Sequence, residues 1–353
     1  MMTTLALQAP GPDAAFEQGT IERRDVGEHD VLIDIAFAGI CHSDIHTVRG
    51  EWGEIRYPLT PGHEIAGTVS AVGSAVTRHG VGDRVGVGCM VESCGECEQC
   101  KNGAEQFCRR GATFTYNSPD PKRGEGAITQ GGYAQQIVVD ERFVCRIPEG
   151  IGLDVAAPLM CAGVTTFAPL QRWGVGPGST VAVVGMGGLG HMGVKIAAAM
   201  GAQVTVLSRS LDKADDSREL GASDHVSTKD EASMKALRGS FDVILNTVSA
   251  DLDLGGLLGL LKPFGVLVNV GLPNDDYAFP PSAVIGQSKV VAGSMIGGIQ
   301  ETQEMLDFCA EHGIGAEIEV VSADRINEAY DRVVASDVRY RFVIDMAKLP
   351  QAA

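Results

Sequence analysis

The chain has 353 residues, enough for about two domains, with 44% hydrophobic and 21% charged residues, as in a globular protein with a good core. A formal net charge of −17 argues against nucleic acid or an anionic membrane as partner. Met1–Thr20 has no basic segment or long apolar stretch, and no apolar run reaches membrane-spanning length, so a soluble cytoplasmic protein is expected.

In chain order, Val31–Ala38, Ile65–Val72, Arg84–Gly88 and Gln136–Val139 are β-branched or alternating runs punctuated by Gly, Pro and Asp. They predict short strands joined by tight turns over the first ~150 residues. Two polar motifs interrupt them: Gly39-Ile-Cys41-His42-Ser43-Asp44-Ile-His46 and Pro61-Gly62-His63-Glu64. Cys94, Cys97, Cys100 and Cys108 follow as C-x2-C-x2-C-x7-C, with Gly95 and Gly103 between them. Four thiols this close can converge on one tetrahedral Zn2+. Two disulfides are a rival, disfavoured in a long chain with scattered cysteines and no secretory segment. An iron–sulfur cluster is a second rival, because it also uses four thiolates. A closed zinc site holds a loop and does no chemistry, so the chemistry is expected elsewhere.

From about Val181 the texture changes to strand, helix, strand. Val181–Gly185 leads into a helical stretch, Gly190–Met200, and Gln203–Ser208, Asp224–Ser227, Phe241–Thr247, Val266–Gly271 and Lys289–Ser294 follow at intervals. That alternation predicts a parallel sheet with crossover helices. Helices are then expected at Gln300–Glu311 and Arg325–Ala335, and a strand at Tyr340–Met346. The layout is an α/β nucleotide-binding domain, 156–294, inserted between a mostly β domain, 1–155, and a C-terminal return, 295–353.

The first strand of the α/β part runs into Gly185-Met-Gly187-Gly188-Leu189-Gly190 and then a helix. In that context G-x-G-x-x-G lets the backbone approach a dinucleotide pyrophosphate at a helix N-terminus. The tip of the next strand chooses the cofactor. It carries Ser208-Arg209-Ser210, with Lys213 one turn later and no acid at the tip; Asp212 lies further on, where it suits a helix cap. Hydroxyls and a guanidinium suit a 2′-phosphate, which a carboxylate would repel, so NADP(H) is favoured over NAD. The plain alternative is that Arg209 and Lys213 are solvated surface charges.

Cys161, in Pro158-Leu-Met-Cys161-Ala-Gly163, stands just before the nucleotide fold. With Cys41 and His63 it would make a Cys2His zinc site with one position open for substrate. Singly, each also reads as a structural residue, since buried Cys is common. The three are far apart in sequence, and spacing alone leaves both readings open.

The stretch Gly62-His63-Glu64-Ile-Ala-Gly67-Thr-Val-Ser-Ala-Val-Gly73-Ser-Ala-Val76 resembles the signature of zinc-containing medium-chain alcohol dehydrogenases at every fixed position. Cys41-His-Ser43-Asp44, the four-cysteine lobe, Gly82-Asp-Arg-Val85 and the nucleotide motif occur in that family's order, so the resemblance spans essentially the whole chain. Phe114-Thr-Tyr-Asn117, Thr129-Gln-Gly-Gly-Tyr133 and Asp337–Asp345 are most similar to the NADP-dependent, cinnamyl-alcohol-dehydrogenase-type branch.

The resemblance implies a GroES-like β-rich catalytic domain, a Rossmann domain with a doubly wound parallel sheet, and a homodimer or tetramer. It implies two Zn2+ per chain: a catalytic ion on Cys41, His63 and Cys161, and a structural ion on the four-cysteine lobe. Glu64 would sit by the catalytic metal and Asp44 would orient His63. Ser43 would pass the alcohol proton through the cofactor ribose toward His46, and Arg341 would touch the pyrophosphate. Trp52 would be a pocket wall or a core or loop anchor. Phe114 stands where plant members carry Trp, and Met295 where they often carry Phe, which implies a differently shaped substrate pocket. Cys89, Cys145 and Cys309 are expected to be buried structural thiols. The expected reaction is reversible hydride transfer between NADPH and a primary aromatic or aliphatic aldehyde. Two rivals remain: reduction of a conjugated double bond, which needs less of the Ser43 and Glu64 machinery, and a non-catalytic zinc- and nucleotide-binding role. Loss of a ligand among Cys41, His63 and Cys161 would favour the latter; all three are present.

Overall fold

A computed structural model describes residues 1–273 and 276–349. The chain forms two compact units, one from residues 1–161 with the segment from 298 onward, the other from residues 162–297. These boundaries lie a few residues beyond 155/156 and 294/295. The physical reason is that Leu153–Ala156 and the 3-10 turn Ala157–Met160 pack on the strands of the first unit, which places Cys161 there too.

Among the described residues, the first unit is built on a seven-stranded sheet. Its organising strand is Asp30–Gly39, where Val31, Ile33 and Ile35 point inward and Asp34 is exposed, the period of two that buries one sheet face. Along one edge this strand pairs antiparallel with Ile65–Val72. Along the other it changes partner: Asp30–Asp34 pairs with Gln136–Asp140, and Phe37–Gly39 pairs with Arg341–Asp345. The C-terminal strand therefore lies against the end of Asp30–Gly39 that leads into Cys41. A hairpin of Met2–Gln8 and Glu17–Arg23 forms a separate two-stranded sheet.

Among the described residues, the second unit carries a six-stranded parallel sheet in the order Asp224–Ser227, Gln203–Ser208, Thr180–Val184, Phe241–Asn246, Leu261–Asn269, Val290–Gly293. In chain order this is 3-2-1-4-5-6, the doubly wound Rossmann arrangement, whose order reverses beside Thr180–Val184. Val181–Val184 are all buried, as parallel strands covered on both faces require. No single described helix is long and apolar enough to cross a membrane.

Several elements differ from expectation, among them the helix Ala162–Arg172, which was not expected. Leu261–Asn269 starts well before Val266. Ile318–Ser322 is a strand the sequence did not announce; it lies at the sheet edge, is mostly half-exposed, and so lacks a clean apolar alternation. His42–Val48 is a short helix in a region read as strands and turns.

Candidate active site

The four-cysteine lobe is a loop with one short helix, Glu98–Lys101. The sulfurs of Cys94, Cys97, Cys100 and Cys108 all lie within 4.8 Å of one another, with Cys97–Cys100 at 3.5 Å and Cys94–Cys100 at 3.9 Å. These cysteines are free thiols. Zn–S bonds of about 2.3 Å in a tetrahedron give sulfur separations of about 3.8 Å, so the spacing fits a single ion. It excludes the disulfide alternative, which needs sulfurs about 2 Å apart. Backbone N–H groups, led by that of Arg109, hold the Cys97 thiol down to about 6, a cradle suited to thiolate.

The second cluster is assembled from the ends of three elements. Cys41 caps the helix His42–Val48, His63 and Glu64 precede the strand Ile65–Val72, and Cys161 follows the turn Ala157–Met160. Ligand atoms of Cys41, His63, Glu64 and Cys161 lie within 4.8 Å of one another, and all four residues are buried. A hydrogen bond from the Cys161 thiol, with Arg341 and His63 nearby, holds the Cys41 thiol well below its ordinary range against the opposing effect of burial. Glu64 Oε2 is buried with no hydrogen-bond partner. An orphaned carboxylate oxygen is costly to bury, and a cation among these donors would satisfy it. Two thiols, an imidazole and a carboxylate suit zinc.

Asp44 organises this cluster. Fully buried, it accepts from His63 Nδ1 at 3.0 Å, Cys41 N at 3.0 Å, Gly62 N at 3.1 Å and Tyr133 Oη at 3.2 Å. Fixing Nδ1 turns Nε2 of His63 toward the ligand position. Gly62 has φ +103°, and a Cβ there would meet the Tyr133 ring at 2.5 Å, so only glycine lets the two loops close on Asp44. Neither Tyr133 nor Gly62 was assigned this task from sequence.

Arg341, expected at the pyrophosphate, is 4% exposed and forms an ion pair with Glu64. A buried guanidinium has to be neutralised, and Glu64 is the carboxylate in reach. Burial opposes its charge, but Glu64, then Cys41 and Cys161, hold its pKa above the ordinary arginine value.

Ser43 is half-buried on the first turn of His42–Val48. One turn on, His46 directs Nδ1 to Glu51 Oε2 and stacks on Trp52, ring centroids 4.9 Å apart. Glu51 is a further residue missed from sequence; its one signal is the Gly50 turn that folds Glu51 back, with Glu51 N on His46 O at 3.0 Å. Trp52 thus anchors His46, while Phe114 in the same unit is 38% exposed and Met295 in the second unit is 41% exposed. Cys145 and Cys309 are buried, as expected of structural thiols. Cys89 is not: it is half-buried, and the neighbouring Cys161 thiol holds its pKa below the ordinary thiol value.

In the second unit Gly185 has φ +93°, and a Cβ on Gly190 would collide with the Gly185 carbonyl. A Cβ on Gly187 would meet nothing within 4 Å, so the protein leaves space over that glycine for a ligand. Ser208 ends its strand with Arg209 and Ser210 exposed beyond it, and the Arg209 guanidinium has no ion pair among the described residues. Lys213 Nζ donates to Met186 O at 3.1 Å, tying this turn to the glycine-rich one.

A buried thiolate–imidazole cluster on one unit and a glycine-rich nucleotide turn on a parallel-sheet unit define a zinc-binding dehydrogenase of the medium-chain class. Residues 27–149 match the alcohol dehydrogenase GroES-like domain, and residues 188–311 the zinc-binding dehydrogenase domain. The chain is 58% identical over 349 residues to the NADP-dependent alcohol dehydrogenase C of Mycobacterium bovis, covering 99% of this chain and 100% of that one. It is 51% identical to the aldehyde reductase YahK of Escherichia coli, covering 98% of each. A solved cinnamyl alcohol dehydrogenase of Sorghum bicolor superposes with a TM-score of 0.96 at 44% identity over 100% of both chains. This chain belongs to the zinc-containing medium-chain alcohol dehydrogenases, in their cinnamyl-alcohol-dehydrogenase-type branch.

Proposed function

We propose that the protein is an NADP(H)-dependent zinc alcohol dehydrogenase that works as an aldehyde reductase on primary aromatic or aliphatic aldehydes. The observation that carries the reading is the buried convergence of Cys41, His63, Cys161 and Glu64 around one ligand position, in a chain whose relatives bear NADP-dependent alcohol dehydrogenase and aldehyde reductase names. Cys41, His63 and Cys161 would hold the catalytic zinc, and Cys94, Cys97, Cys100 and Cys108 a structural zinc, two per chain. The catalytic ion supplies Lewis acidity toward a carbonyl or alcohol oxygen. Two thiolates offset its charge, Asp44 orients His63, and Arg341 holds Glu64 at the edge of the site. Gly185, Gly187, Gly188, Leu189 and Gly190 would seat the pyrophosphate, and Ser208, Arg209, Ser210 and Lys213 the 2′-phosphate.

In reduction, bound NADPH would supply a hydride to the carbonyl carbon, and the carbonyl oxygen would take up one proton, giving alcohol and NADP+. Ser43 would deliver that proton and His46 would replenish it. His46 Nδ1–H would donate to the Glu51 carboxylate, which leaves Nε2 as the relay nitrogen. Trp52 and Phe114 of the first unit would help to shape the substrate pocket. We also propose a cytoplasmic homo-oligomer, dimer or tetramer. It is supported by the outer edge of Val290–Gly293, which has no partner strand among the described residues, and by Phe264 beside it, 79% exposed. The test is an NADPH-oxidation screen over aliphatic and aromatic aldehydes, with metal analysis. Turnover with aldehydes and about two zinc ions per chain is expected; reduction of conjugated double bonds without aldehyde turnover would replace this reading.

A further inference from the structure

The Ser208-Arg209-Ser210 turn is held from one side by the adjoining strand Asp224–Ser227 and the residue after it. Each of its three carbonyls accepts one hydrogen bond: Ser208 O from Thr228 N at 2.8 Å, Arg209 O from Ser227 Oγ at 3.4 Å, and Ser210 O from His225 Nε2 at 3.2 Å. The third donor is unlike the others, because it belongs to a buried ring. His225 is 5% exposed, and its Nδ1 lies 2.9 Å from the hydroxyl of fully buried Ser217, on the helix Ala214–Glu219 that follows the turn.

A carbonyl only accepts, so Nε2 must carry hydrogen, and Nδ1 of the neutral ring then accepts from Ser217. Burial holds the His225 pKa below its usual value, which favours that neutral form near pH 7. The Ser217 hydroxyl also lies 2.8 Å from Ala214 O, so its single hydrogen is shared between two acceptors. Two polar side chains are thus buried where apolar ones would pack without desolvation cost. What they provide is a fixed Ser210 carbonyl at the point where the chain turns from strand to helix.

We propose that His225, braced by Ser217, is a positioning residue that fixes the Ser208–Ser210 turn in the form that receives the cofactor 2′-phosphate, and so sets the preference for NADPH over NADH. This rests on the reading of that turn as the 2′-phosphate site. NADH lacks the phosphate, so a displaced turn weakens NADPH alone, whereas a purely structural histidine would affect both cofactors or only stability.

The test is a fluorescence titration of the zinc-loaded, full-length protein with NADPH and with NADH. His225→Leu should weaken NADPH by roughly two- to tenfold, the scale of one neutral hydrogen bond, and leave NADH nearly unchanged. Ser217→Ala should shift NADPH in the same direction by less, and His225→Gln, which keeps an N–H donor, should recover most of the loss. Arg209→Ala is the control and should weaken NADPH selectively. If Arg209→Ala is selective but His225→Leu and Ser217→Ala weaken both cofactors equally, or neither, the positioning role is overturned and the 2′-phosphate reading stands. If Arg209→Ala is also unselective, the reading of the turn falls and the positioning role with it. Should His225→Leu fail to fold, Ser217→Ala decides by the same criterion.

Discussion

The two ligand clusters of the first unit use similar donors and opposite construction. The lobe draws four thiols from one short run, Cys94–Cys108, with Cys94 and Cys97 only half-buried, and backbone N–H groups steady its sulfurs. The second cluster draws on residues 41, 63, 64 and 161, buries all of them, mixes sulfur with imidazole and carboxylate, and backs each non-sulfur ligand with a partner: Asp44 behind His63, Arg341 behind Glu64. A locally closed set of identical ligands can staple a loop. A mixed set placed by the whole sheet can keep a position for something else.

The sharpest contrast is between one cysteine from each cluster. Cys161→Ala should abolish aldehyde turnover while NADPH still binds, as measured by NADPH oxidation and nicotinamide fluorescence. Cys100→Ser should instead lower the melting temperature and remove one zinc, with the ligands of the other cluster still in place before unfolding begins. If Cys161→Ala keeps wild-type turnover, the assignment of the two clusters is wrong.

Ser43→Ala tests whether the second cluster has a dedicated proton donor. Zinc and NADPH should be retained, and the chemical step should slow by about 10^2–10^4-fold; single-turnover rates equal to wild type would remove Ser43 from the mechanism. Asp44→Asn addresses the support behind His63. It keeps the shape but offers a donor where four donors already converge, and zinc affinity should fall by about 10–100-fold in a chelator competition. An unchanged affinity would mean that the four-donor arrangement merely packs.

The smallest effect should come from Tyr133→Phe. It removes one of the four donors on Asp44 and should cost at most about 1.5 kcal/mol in urea denaturation, with turnover lowered only modestly. A loss as large as that of Asp44→Asn would promote Tyr133 from support to essential element.

Much of this was legible in the chain itself. The lobe could be read from spacing, because its ligands are near neighbours and loop closure over so few residues needs no help from the fold. The Rossmann unit could be read from alternation, because Val181–Val184 and the runs after it are buried on both faces and announce themselves as apolar. The glycine turn followed from the same local chemistry. Cys41, His63 and Cys161 were singled out, but spacing alone could not unite them; they meet because Asp30–Gly39 pairs with Ile65–Val72 on one edge while the turn Ala157–Met160 packs across both. Nor could the sequence say that Arg341 would face Glu64, that Tyr133 would find Asp44, or that His225 would hold Ser210. Those contacts span 277, 89 and 15 residues of chain. Local pattern fixes which face of an element is apolar, whereas the pairing of buried polar groups depends on strand order and register. It was therefore decided only by the tertiary structure, where each buried charge or carbonyl had to find a partner within reach.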